Sequence, residues 1–123
     1  MNALAVLIIE DDSWLAEQYS RMLLSAGYKV TITSHAQAAI QMIDDNQPGA
    51  IILDMLLTGS TALALLHELQ SYGDTGAIPI IMCTNLANEL SLDNLRSYGV
   101  RKIIDKTTMA PDDLIVALRD ITT

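Results

Sequence analysis

The sequence predicts an α/β protein, a five-stranded parallel sheet with helices on both of its faces. Three observations predict it. Short apolar runs alternate five times with segments of helical periodicity, the signature of repeated βα units. Two of the runs, Ala3–Ile9 and Ala50–Leu53, are apolar at every position, as strands covered on both faces require. The breaks between units fall at Gly27, at Pro48-Gly49, across Gly73–Gly76 and at Gly99, where glycine and proline punctuate a chain.

Taken in order, Ala3–Ile9 is the first strand, with β-branched Val6, Ile8 and Ile9. Glu10, Asp11 and Asp12 come next. Leu15, Tyr19, Met22, Leu23 and Ala26 then recur at helical spacing, with Trp14, Gln18, Arg21 and Ser25 off the stripe. Asp12 or Ser13 is the expected N-cap of this first helix, and Gly27 its stop. Tyr28–Thr33 is the second strand. Ser34 is the expected cap of a second helix reaching about Asn46, with Ala39, Met42 and Ile43 inward, before Gln47-Pro48-Gly49 breaks it.

The third strand, Ala50–Leu53, ends in a lone carboxylate, Asp54. Met55–Ser60 reads as a loop. A third helix starts near Thr61 with Leu63, Leu66 and Leu69 on or near its inner face. Ile78–Cys83 is the fourth strand and ends at Thr84; Pro79, near its start, is tolerable there. The fourth helix, about Ala87–Tyr98, interleaves Leu90, Leu92 and Leu95 with Asn, Ser and Asp, and is expected to be the least stable. Val100–Asp105 holds the fifth strand. Pro111 is the expected first position of a fifth helix, with Asp112 and Asp113 at the positive end of its dipole and Leu114, Ala117, Leu118 and Ile121 inward.

Composition narrows the function. The chain of 123 residues suits one domain, 1–123, and half of it is hydrophobic with no Phe, so the core must be aliphatic. Net charge is −8, with only seven Lys and Arg, which argues against contact with nucleic acid or an anionic membrane. The one cysteine, Cys83, lies in an apolar run and reads as a packed thiol. The amino-terminal run lacks a basic segment and reads as a strand rather than a signal peptide. No apolar run approaches the roughly 20 residues of a membrane span. A cytoplasmic protein is the expectation.

The chemistry lies in the residues at the carboxyl end of each strand. Glu10 and Asp11 end the first, Asp54 the third, Thr84 the fourth and Lys106 the fifth. In a parallel sheet these ends share one edge, where open α/β sheets place their sites. If those four strands are neighbours, three carboxylates, a hydroxyl and an ammonium converge. Three carboxylates together repel unless a cation joins them, and an all-oxygen set suits Mg²⁺. An aspartate attacking phosphorus gives an acyl phosphate. Each residue alone also has a plain structural role as a cap, turn or solvated side chain.

The runs Leu7-Ile8-Ile9-Glu10-Asp11-Asp12, Ile51-Ile52-Leu53-Asp54-Met55, Ile78–Thr84 and Ile103-Ile104-Asp105-Lys106, in this order and at these separations, resemble the receiver domain of two-component response regulators. The resemblance covers essentially Leu4–Ile121. It implies a flavodoxin-like (βα)5 fold with strand order 2-1-3-4-5. It implies that Glu10, Asp11, Asp54 and the Leu56 carbonyl hold Mg²⁺, with Mn²⁺ as a substitute, Asp11 directly and Glu10 partly through water. Asp54 would be the phosphoacceptor, Thr84 the switch hydroxyl and Lys106 the salt bridge to the phosphoryl group.

The implied partners are a sensor histidine kinase or phosphotransfer protein, a downstream protein target, and a second copy in a phosphorylation-dependent homodimer. Signalling would run through the face of the fourth helix, fifth strand and fifth helix, where Arg96, Arg101 and Lys102 supply positive charge. Several residues depart from the family pattern. Thr58 and Thr107 stand where Pro is usual, Ala62 where Gly is common, Asn85 where Ala is usual and Ile103 where an aromatic often stands. A cis bond to Thr107 would cost about 3–4 kcal/mol, so a trans bond or a shifted loop is expected. Leu56 and Leu86 leave few polar groups to position an attacking water, which predicts slow autodephosphorylation. The alternative is a pseudo-receiver, a binding module that keeps the fold without the switching. A flavin carrier is disfavoured because Glu10-Asp11-Asp12 would repel its phosphate, and an aspartate-based phosphatase because no cap domain is present.

Overall fold

The computed structural model describes residues 4–55, 62–110 and 112–122. In chain order the elements are β1 (Ala5–Ile9), α1 (Ser13–Ser25), β2 (Lys29–Thr33), α2 (Ala36–Asp45), β3 (Ala50–Leu53), α3 (Ala62–Gln70), β4 (Ile80–Thr84), α4 (Leu92–Leu95), β5 (Val100–Asp105) and α5 (Asp113–Thr122). The strands form one sheet in the order β2-β1-β3-β4-β5, every pair parallel. This is the doubly wound architecture the sequence predicts, with the flavodoxin-like strand order that the family resemblance implies.

Alternation along the strands divides the core in two. Leu7, Ile9, Ile51, Leu53, Ile80 and Met82 face one side and pack on Ala39 and Ile43 of α2 and Leu65, Leu66 and Leu69 of α3. Val6, Ile8, Ala50, Ile52, Ile81 and Cys83 face the other, against Ala16, Tyr19 and Leu23 of α1 and Leu114, Ala117 and Leu118 of α5. Because side chains in a strand alternate, each central strand feeds both layers, which is why β1, β3 and β4 are apolar almost throughout. Each Val, Leu, Ile or Met side chain so removed from water contributes roughly 1.5–3 kcal/mol.

Caps and glycines set the connections. Asp12 is the N-cap of α1; its Oδ1 accepts from Trp14 N at 3.0 Å and Leu15 N at 3.1 Å. Beyond α1, Gly27 takes the left-handed conformation (φ +96°) and lets Tyr28 N reach back to Leu23 O. The bulge between β4 and β5 pairs Ile80 with Val100 and Ile81 with Lys102, so Arg101 is the extra residue.

Several expectations are corrected. His35, not Ser34, occupies the N-cap of α2, and its side chain makes no cap bond. The stripe of α1 is set differently from the expected one: Ala16 and Ser20 are buried while Ala26 is exposed. Leu63 of α3 faces solvent, and Leu65 packs in its place, because the buried face is Ala62, Leu65, Leu66 and Leu69. The fourth helix is not continuous. A 3-10 turn at Ala87–Glu89, the single α-turn Leu92–Leu95 and a 3-10 turn at Arg96–Tyr98 replace it. Leu90 is extended, and Ser91 starts a new cap by accepting from Asn94 N. The Asn, Ser and Asp residues of this stretch offer the backbone local partners that compete with a helix. The Thr58 and Leu56 positions and the expected first position of α5, Pro111, lie outside the described residues.

Candidate functional site

The carboxyl ends of β1, β3, β4 and β5 are adjacent because those four strands are neighbours in the sheet. The backbone fixes each end. Glu10 N donates to Thr33 O, Asp54 N to Ile9 O, and Lys106 N to Thr84 O. A cavity of about 410 Å³ opens there, lined by Glu10, Asp11, Asp12, Leu15, Asp54, Asn85 and Lys106.

Lys106 organises the cavity. Its ammonium lies 2.5 Å from Glu10 Oε1 and 2.9 Å from Asp54 Oδ2. The side chains of all three are at most 8% exposed, so this is a desolvated triad and not a surface pair. Burial works against the charge on Lys106, but the bonds to Glu10 and Asp54 outweigh it and raise its pKa above the ordinary lysine value. Burial pushes the Glu10 carboxyl up; Lys106 and the Asp12 N–H, which donates to Glu10 Oε2 at 3.1 Å, pull against it.

The acidic triplet therefore divides its work. Glu10 points inward to Lys106, Asp12 caps α1, and Asp11 stands exposed on the rim of the cavity. The three carboxylates attributed to a metal, Glu10, Asp11 and Asp54, line the same cavity and offer hard oxygen donors only. That donor chemistry fits Mg²⁺. Among the described residues no three acidic, His or Cys side chains are gathered as a ready cation cage. Lys106 is the cation that neutralises Glu10 and Asp54 in this structure.

Thr84 is fully buried, and its hydroxyl accepts from Leu86 N at 3.2 Å. Its neighbour Asn85 lines the cavity, as does Leu15. Leu15 was legible only as a helix-stripe residue. No cis peptide bond occurs among the described residues, so Lys106–Thr107 is trans as expected. Ile103 is partly buried and packs against the α2–α3 layer of the core.

Sequence reasoning missed a sulfur cluster on the α1–α5 side of the sheet. Tyr19 Oη lies 3.6 Å from Cys83 Sγ and donates to Met109 Sδ at 4.0 Å, while Cys83 Sγ lies 3.7 Å from Met109 Sδ. Burial, more than any neighbouring charge, pushes the Cys83 thiol up to about 11 and raises the Tyr19 phenol further. No local signal in the sequence links residues 26 and 64 positions apart.

The fold and this edge of polar groups define a doubly wound α/β domain with charged side chains gathered at the carboxyl ends of its strands. Residues 6–119 match the response regulator receiver domain, and the chain belongs to that family. It is 32% identical over 89 residues to the transcriptional regulatory protein BaeR of Escherichia coli, covering 72% of this chain and 36% of that protein. It is 29% identical over 116 residues to the phosphate regulon transcriptional regulatory protein PhoB of Pseudomonas aeruginosa, covering 94% of this chain and 50% of that one. The chain thus spans half or less of the length of these curated relatives.

Among solved structures, a putative response regulator from Chloroflexus aurantiacus superposes with a TM-score of 0.84 at 27% identity, covering 98% of each chain. A sensor protein from Polaromonas sp. JS666 superposes with a TM-score of 0.88 over 97% of this chain, and at 22% identity it speaks for the fold alone. The protein is a receiver domain of the two-component response regulator class. No helix among the described residues is long and apolar enough to cross a membrane.

Proposed function

We propose that Asp54 accepts a phosphoryl group from the phosphohistidine of a sensor kinase or phosphotransfer protein. An Asp54 carboxylate oxygen forms the new bond to phosphorus, the bond from phosphorus to imidazole nitrogen breaks, and the electron pair and then a proton go to the imidazole. The observation that carries this reading is the buried Lys106 ammonium held at 2.9 Å from Asp54 Oδ2. A cation already placed beside the nucleophile stands close to where charge develops on a phosphoryl oxygen.

Glu10, Asp11 and Asp54, with the Leu56 carbonyl by family resemblance, would hold Mg²⁺, which when bound neutralises phosphoryl-oxygen charge. For Asp54 and Glu10 to serve a metal, Lys106 must shift its contact from Glu10. Thr84 would leave Leu86 N to donate its hydroxyl to the phosphoryl group. The resulting change would be read by a downstream protein, or by a second copy of the chain, at the face formed by α4, β5 and α5.

The test is incubation with Mg²⁺ and acetyl phosphate, read by intact mass. A gain of one phosphoryl mass in the wild type that is absent in Asp54→Ala supports the reading. No gain with acetyl phosphate or with a phosphorylated histidine donor overturns it and leaves a binding module without phosphorylation-driven switching.

A further inference from the structure

The turn after β5 is organised by one residue, Asp105. Its Oδ1 accepts from Thr107 N at 2.8 Å and from the Thr107 hydroxyl at 2.6 Å. Its backbone oxygen accepts from Thr108 N and Met109 N. Lys106, between Asp105 and Thr107, is held from the other side by its own N–H on Thr84 O. Both flanks of Lys106 are therefore pinned, and its side chain runs inward to Glu10 and Asp54.

Thr107 has no ring to fix its φ, so the direction of the chain after Lys106 rests on hydrogen bonds. An aspartate that accepts from the N–H two residues on closes a tight turn of its own. The Thr107 hydroxyl and N–H also lower the Asp105 pKa; an aspartate is charged at neutral pH, and a charged acceptor makes the stronger hydrogen bond. Among the described residues the ion pairs of Lys106 are with Glu10 and Asp54, not with Asp105, so Asp105 acts on it through the turn and not by direct attraction.

We propose that Asp105, through its paired hydrogen bonds to Thr107, is a positioning residue that holds the Lys106 ammonium between Glu10 and Asp54. As far as it concerns phosphoryl transfer, this rests on the function proposed for Asp54. As far as it concerns where Lys106 sits, it stands independently.

Two measurements separate these. The first is the rate at which a water-soluble acylating reagent labels the Lys106 amine, read by peptide mass in the folded protein. Asp105→Ala should raise it roughly tenfold, the equivalent of about 1.4 kcal/mol and within the range of one to two hydrogen bonds. Thr107→Val, which keeps the N–H and loses the hydroxyl, should raise it roughly threefold. Asp105→Asn, which keeps the acceptor oxygen, should restore protection close to the wild type.

The second is the rate of phosphorylation by acetyl phosphate with Mg²⁺. Asp105→Ala should slow it in the wild type and have no further effect in a Lys106→Ala background, whereas a general folding defect would slow both alike. Unchanged labelling in Asp105→Ala and Thr107→Val, both folded by circular dichroism, overturns the proposal, as does an equal loss in the two backgrounds. If Asp105→Ala does not fold, Thr107→Val labelling decides. If the wild type accepts no phosphoryl group, the function reading fails and the labelling result still settles the position of Lys106.

Discussion

Lys106 Nζ sits closer to Glu10 Oε1, at 2.5 Å, than to Asp54 Oδ2, at 2.9 Å. The residue that the family resemblance pairs with phosphate is bonded most closely to one it assigns to a metal. The lysine thus acts as the internal counter-cation of the site. Any divalent ion entering through Glu10 must compete with it.

Removing that cation should be costly. Lys106→Ala removes the ammonium that two buried carboxylates share, and breaking a buried ion pair on one side costs about 3 kcal/mol or more. Denaturant unfolding at neutral pH should show this loss, and saturating Mg²⁺ should recover part of it by replacing the missing positive charge. A loss of the same size with and without Mg²⁺ would argue that the carboxylates do not share a cation.

Turnover of the acyl phosphate should be slow. Leu86, whose N–H is engaged by the Thr84 hydroxyl, and Leu56 offer no polar side chain to orient water. Leu56→Asn supplies one and should speed decay roughly tenfold, about 1.4 kcal/mol of barrier. The decay of phosphorylated protein followed by intact mass checks this, and equal or slower decay in the variant contradicts it.

The Cys83 thiol should be silent at ordinary pH. Burial lifts its folded pKa to about 11 from an ordinary 9.0. The folded state binds the thiol proton more tightly, so this contribution to stability is full below pH 9 and is lost as pH rises toward 11. A thiol-reactive dye at about pH 8, below the ordinary thiol range, should leave the native protein unlabelled and react fully after unfolding in guanidinium. Cys83→Ala should flatten the decline in stability between pH 9 and 11.

The centre of the sheet should be the least forgiving part of the core. Ile52 of β3 is 2% exposed and packs in the α1–α5 layer. Ile52→Ala should destabilise by about 2–5 kcal/mol through lost burial and the cavity left behind. Val116→Ala on α5, half exposed, is the control and should stay within about 0.5 kcal/mol, both read by denaturant unfolding.

Leu63 and Leu65 show where reading by pattern stops. Both fit a helical stripe in a leucine-rich segment, and periodicity there admits more than one inner face. Ser20 is buried beside Tyr19 and Leu23, although its chemistry points outward in a sequence. Ser91 and Asn94 divide the fourth helical segment through a bond that residue type made plausible but did not compel. By contrast Asp12, Gly27 and Gly99 were legible because caps and left-handed turns depend on a few neighbours along the chain.

Local pattern alone was enough to specify five βα units and the polar residue that ends each of four strands. A parallel sheet brings all strand ends to one edge whatever the strand order, so Glu10, Asp54, Thr84 and Lys106 were bound to share it. Which of them meet was settled by the three-dimensional arrangement. The adjacency of β1 and β3 brings Glu10 and Asp54 together, and the reach of a lysine from the end of β5 bridges them. The two lysine contacts join residues 52 positions or more apart, and their geometry comes from strand order and packing, which no local window of sequence contains.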